Sequence, residues 1–195
     1  MFKRWHIIPV AIIILLMIIS FSRISNSQDK NPIIEENYPD NYLEEKHSYY
    51  DTEGGYQLKY PAEWSLEDHA FKQEMIRADI SFGQEAGLQI RIMEITGTET
   101  AFIDGYSNTF QREMSSYWQG KIYEKNRFQG IIGKYQGHKI DLIFNRDDGE
   151  NWFFREYIWF RKGKAYVFQS GTKLENKEKY LPALDDIAAS MIFTD

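Results

Sequence analysis

Trp152-Phe153-Phe154-Arg155-Glu156-Tyr157-Ile158-Trp159-Phe160 decides how this chain is read. At a period of two, one face of the stretch carries Phe153, Tyr157 and Trp159, and the other carries Trp152, Phe154, Ile158 and Phe160. A strand that is apolar on both faces sits inside a sheet covered on both sides. Arg155 and Glu156 interrupt the pattern, and charges in a central strand need partners. Either they are the inward polar groups of a pocket, or they mark where the strand runs out from under its cover.

Working outward, Asp147-Asp148-Gly149-Glu150 is a hairpin turn into the preceding strand, Tyr135 to Phe144, which alternates at Ile140, Leu142 and Phe144. On the other side Lys162-Gly163-Lys164 turns the chain into a strand from Ala165 to Ser170. Further back, Tyr56, Leu58 and Tyr60 alternate until Pro61 ends the run. A hairpin follows, with Ile76, Ala78, Ile80 and Phe82 returning through Gly83–Gly87 to Leu88, Ile90 and Ile92. The period then changes: Phe102, Tyr106, Phe110, Met114 and Tyr117 predict an amphipathic helix over Glu99 to Trp118, with Thr98 as its N-cap. A closing helix presents Leu181, Leu184, Ile187, Ala188 and Met191, with Thr172 and Glu175 as a capping box, and a short strand ends near Phe193. Strands in tight hairpins, then helix, strands and helix, predict an α+β domain over 49–195. Its antiparallel β-sheet of about six strands is sandwiched between helices.

The amino end is of another kind. Ile7 to Phe21 is almost unbroken apolar sequence, preceded by Lys3 and Arg4, with no acid before Asp29. This N-terminal membrane segment, residues 1–28, is a signal anchor or a signal peptide. A spanning helix wants about 17 to 25 residues and a cleavable apolar core about 7 to 15. Ser25 and Ser27 suit a cut before Gln28, whereas Arg23 and Ile24 oppose one; the preferred reading is an uncleaved single pass. Its amino end lies inside and its C-terminal domain outside, because the cations stand at the start. Residues 29–48, with Pro32, Pro39, Glu35-Glu36 and Glu44-Glu45, read as a flexible acidic linker.

Composition removes several functions. The chain has no cysteine, which excludes disulfides, thiolate metal sites, a thiol nucleophile and a lipid-modified cysteine. Residues 1–28 carry Lys3, Arg4 and Arg23 and no acid, so the whole-chain charge of −6 becomes −9 for the remainder. Such a surface suits neither nucleic acid nor an anionic bilayer.

Two stretches carry a family resemblance. Gly54-Gly55-Tyr56-Gln57-Leu58-Lys59-Tyr60-Pro61-Ala62-Glu63-Trp64 resembles the opening strand and aromatic-Pro-X-X-Trp turn of the PsbP-like family. Leu184-Asp185-Asp186-Ile187-Ala188-Ala189-Ser190-Met191-Ile192-Phe193 resembles its closing helix and final strand. The resemblance implies an antiparallel sheet between helices and a family built for docking rather than catalysis. Its plant and cyanobacterial members are extrinsic subunits or assembly factors of photosystem II, and its bacterial relatives often carry a signal or anchor. No functional residue is carried over: Pro61 and Trp64 match as structural positions that fix a turn and plug the core.

The remaining motifs are weak. His6, His47, His69 and His138 fit no zinc spacing and read as ordinary surface histidines. Asn145, Asp147, Asp148 and Glu150 put Glu where a calcium loop needs Gly, so this acidic turn reads as a hairpin tip, with weak cation binding as the residual reading. Ser170 and Lys173 match Ser-X-X-Lys without its companion motifs. Trp118, Trp152 and Trp159 are either core or a binding platform. No catalytic, cofactor or metal residue is assigned; Arg155, Glu156 and Trp118 are the candidate ligand or partner contacts.

The resulting expectation is a non-catalytic extracytoplasmic module that docks to another envelope protein or complex. It is held at the membrane through residues 7–21, or secreted after cleavage near Ser27. The alternative is a small-ligand receptor or sensor with a pocket between sheet and helix, and an enzyme comes third.

Overall fold

The computed structural model describes residues 45–69 and 75–194. The membrane segment, and the linker as far as residue 44, lie outside them. No helix among the described residues is long and apolar enough to cross a membrane.

The described chain is mixed α+β, and its strand pairs are antiparallel. In order it runs β1 (Lys46–Asp51), β2 (Tyr56–Pro61), β3 (Ser65–Asp68), β4 (Ile76–Phe82), β5 (Ala86–Glu94) and helix α1 (Glu99–Tyr117). Then come β6 (Gly120–Ile132), β7 (Tyr135–Arg146), β8 (Asn151–Arg161), β9 (Lys164–Lys173), a 3₁₀ turn (Leu174–Asn176), α2 (Lys177–Ala189) and β10 (Ile192–Phe193). A seven-stranded sheet has the order β3-β4-β5-β9-β8-β7-β6, and a three-stranded one the order β1-β2-β10.

Trp152 to Phe160 falls within β8, which lies between β7 and β9 as its two-faced pattern requires. One face meets α1, where Ile103, Phe110 and Met114 pack on Ile140, Leu142, Phe144, Phe154, Ile158 and Val167. On the other face Tyr157, Trp159 and Phe168 pack against α2 and the small sheet, through Leu184, Ile187, Tyr56 and Leu58. The second cover is thus partly a sheet, where the sequence suggested helices alone. Trp64 plugs this core at 3% exposure, and its amide donates to Pro61 O at 3.1 Å, closing the turn as expected. Asp51 and Arg77 lock the two sheets together: Arg77 Nε and Nη2 donate to the two Asp51 carboxylate oxygens at 2.6 and 2.7 Å.

Three strands differ from the sequence expectation of about six. β1 begins at Lys46, inside the stretch expected as linker, because its backbone pairs with β2 from Lys46↔Pro61 onward. β3 is four residues on the sheet's first edge. β6 is thirteen residues on the other edge, exposed over most of its length and so without apolar alternation. The helix starts differ from each other. Thr98 caps α1, its hydroxyl accepting from Ala101 N at 3.2 Å. The capping box at Thr172 and Glu175 does not form: Thr172 lies in β9 with its hydroxyl donating to Glu85 O at 2.8 Å. A distant carbonyl has claimed the group that would have capped, and α2 starts at Lys177 without a side-chain cap.

Candidate functional site

Adjacent residues of a strand point to opposite faces, so Arg155 and Glu156 leave β8 on opposite sides and belong to different surroundings. Arg155 meets Asp141 of β7 fork to fork, Nε to Oδ1 at 2.6 Å and Nη2 to Oδ2 at 2.8 Å. Its Nη1 donates to Asp185 Oδ2 of α2 at 2.8 Å, and the Tyr157 hydroxyl donates to Asp185 Oδ1 at 2.9 Å. Lys139 adds a second cation to Asp185 at 3.2 Å. Burial, and then the charge of Asp185, hold the Tyr157 hydroxyl in its protonated form. Bidentate pairs of this kind fix orientation as well as charge. Arg155 therefore ties β7, β8 and α2 together, with Nε, Nη1 and Nη2 all committed.

Glu156 has no such partner. It is fully buried beneath α1, and neither carboxylate oxygen finds a hydrogen bond among the described residues. Across the ladder it faces Gln169 of β9, whose amide nitrogen and oxygen are equally unpartnered; Gln169 in turn faces Gln89 of β5. Arg91 Nη2, the Tyr106 hydroxyl and Glu113 Oε2 are in the same condition. Burial pushes the Glu156 carboxyl up to about 8; Arg91 opposes the rise, Glu124 adds to it, and Arg127 opposes it. Burial also raises Glu113, against the pull of Arg112 and Arg91. Tyr106 is raised by burial and then by Glu156, and the Arg91 guanidinium beside it opposes the rise. An unmet buried polar group costs about 1–3 kcal/mol, so seven such atoms would rival the about 5–15 kcal/mol by which a domain is stable.

Trp118 stands apart from both. It closes α1, its amide donating to Met114 O at 3.0 Å, and its ring lies 5.8 Å from Phe144, 5.8 Å from Trp152 and 6.4 Å from Phe154. The three candidate contacts thus occupy three places. Trp159 is wholly buried against Tyr157 and Phe168, so it belongs to the core.

His69 is not a surface residue: it is 7% exposed, and its Nε2 lies 3.0 Å from Asp79 Oδ2. His138 is half-buried beside Phe160, and burial lowers its pKa. At the acidic turn Arg146 bonds Glu150 at 2.5 Å and Asp148 at 2.7 Å, and Lys173 bonds Glu150 at 3.2 Å. Those acids are held by cations of the protein's own. No group of three or more metal-ligating side chains occurs among the described residues.

Sequence reasoning missed two features. Gln89 and Arg91 alternate with Leu88, Ile90 and Ile92, a pattern that reads as polar-out, yet both are buried because α1 covers their face. β6 pairs with β7 on one side and has no strand on the other among the described residues, so it closes the large sheet. Its register shifts at Lys125, and it exposes Tyr123, Phe128 and Ile131 at 44%, 50% and 64%.

Similarity to solved structures is extensive. The solution structure of cyanobacterial PsbP from Synechocystis sp. PCC 6803 matches with a TM-score of 0.62 at 17% identity, over 82% of this chain and 98% of that one. The fold is PsbP-like. Two more distant structures share the PsbP-like fold. LpqN, involved in cell envelope biogenesis of Mycobacterium tuberculosis, matches with a TM-score of 0.51 at 10% identity, over 72% of this chain and 83% of its own. The Saccharomyces cerevisiae Ran-binding protein Mog1p gives 0.52 at 7% identity, over 77% and 96%. The resemblance read from residues 54–64 and 184–193 therefore holds for the fold. No family model and no curated protein sequence matches the chain.

Proposed function

We propose that the PsbP-like domain is a non-catalytic docking module that residues 1–28 hold outside a membrane, where it engages another envelope protein or complex. The observation that carries the reading is β6, an edge of thirteen residues that exposes Tyr123, Phe128 and Ile131. An open strand edge offers unpaired backbone groups to a further strand, and flanking side chains select which one. Arg127 keeps this edge braced, donating to Glu124 at 2.8 Å and to Asp104 of α1 at 2.6 Å. The linker ahead of β1 supplies reach. Two fold neighbours lend support, since one is a Ran-binding protein and another is involved in cell envelope biogenesis.

The test compares the full-length chain with a Phe128→Lys/Ile131→Lys variant as bait for detergent-solubilised envelope proteins. A specific partner retained by the first and lost by the second is the expected result. Retention of the same proteins by both sinks the edge as the docking surface. The membrane part is read separately from the mass of the native chain: a mature form starting at Gln28 means release rather than anchoring.

A further inference from the structure

The polar groups beneath α1 come from β5, β8, β9 and α1 rather than from β6, and a line of hydrogen bonds leads into them. His69 Nε2 lies 3.0 Å from Asp79 Oδ2, Gln89 Nε2 donates to Asp79 Oδ1 at 2.9 Å, and Arg91 Nε donates to Gln89 Oε1 at 2.7 Å. That line orients Arg91 and leaves its Nη2 without an acceptor among the described residues. Arg91 acts on Glu156, Tyr106 and Glu113 alike, so the four groups stand within electrostatic reach of one another. Gln169 faces Glu156 across the ladder.

We propose that this cluster is a binding site for a small uncharged molecule that both donates and accepts hydrogen bonds, of the amide or polyol class. The free atoms set the class. Arg91 Nη2 and Gln169 Nε2 donate, Gln169 Oε1 and Glu113 Oε2 accept, and the Tyr106 hydroxyl, with the Arg91 guanidinium beside it, donates. Glu156, mostly protonated near neutral pH, offers one donor and one acceptor. A simple anion leaves the acceptors unmet, and a cation leaves the donors unmet and faces Arg91. Phe110, Ile158 and Val167 belong to the apolar core on this side of the sheet and supply the dry surroundings in which such bonds count. Tyr106 is half-buried with its hydroxyl inside, and its ring stacks on Phe102 at 5.9 Å.

The test titrates the full-length chain in detergent micelles with acetamide and, separately, glycerol, following backbone and side-chain amide resonances. Saturable shifts confined to Gln89, Arg91, Gln169, Glu156 and the 106–113 turns of α1, with either probe, support the site. Gln169→Leu should weaken that binding about tenfold, while Glu156→Gln, which keeps a donor and an acceptor, should stay within about threefold. Arg91→Lys, which keeps the charge and removes the fork, serves where Gln169→Leu does not fold. Shifts that grow linearly with both probes, or saturable binding that these two weakening variants leave unchanged, overturn the proposal: the cluster then holds ordered water alone.

Discussion

Glu156→Gln should stabilise this protein, and the gain should grow with pH. The unfolded chain releases the Glu156 proton near 4.5 and the folded chain near 8, because burial penalises the carboxylate more than Arg91 favours it. Between those values the native state holds one proton more than the unfolded state, so stability falls as pH rises. Each unit costs about 1.36 kcal/mol, which accumulates to about 3 kcal/mol at pH 7 and levels off at about 5 kcal/mol above pH 8. Below about pH 4.5 the group is protonated in both states and contributes nothing to the slope. Glutamine keeps the shape and needs no proton, so it escapes the penalty. Urea unfolding of both proteins at pH 5, 7 and 9 measures the difference: under about 1 kcal/mol at pH 5, about 3 at pH 7, and a plateau beyond. Glu113 is raised in the same direction but is present in both proteins, so it cancels from the comparison. A gap that stays constant from pH 5 to 9 would show that Glu156 is ionised in the folded state, and the reasoning about its surroundings would fail.

Asp185→Ala leaves Arg155 Nη1 and the Tyr157 hydroxyl without their shared acceptor. It should cost about 1–3 kcal/mol in urea unfolding while Asp141 still holds the guanidinium. Gly133 sits in the turn from β6 to β7 at φ +61, where a Cβ would fall 2.1 Å from Ala189 O at the end of α2. Gly133→Ala should lower stability by at least about 1–2 kcal/mol, read as a drop in Tm, with the backbone conformation and the clash both contributing.

The sequence by itself determined the elements whose side chains record their surroundings. β8 could be placed inside a doubly covered sheet because Trp152 to Phe160 is apolar at both phases, and Thr98 could be placed at a helix start because its cap is local. Tertiary structure decided everything that depends on which surface covers which. Gln89 and Arg91 look like the wet face of β5 until α1 is laid across them, since alternation records two different faces but not what lies on each. β6 owes its order to backbone bonds with β7, and an edge strand exposed on both sides leaves no mark in the side-chain pattern. Thr172 looks like a helix cap until the chain brings Glu85 O within 2.8 Å of its hydroxyl. Arg155 and Glu156 are neighbours in sequence and show the division most plainly. Their charge announced that each must be accommodated, but only the placing of β7 and α2 on one face and α1 on the other gave Arg155 two carboxylates and Glu156 none.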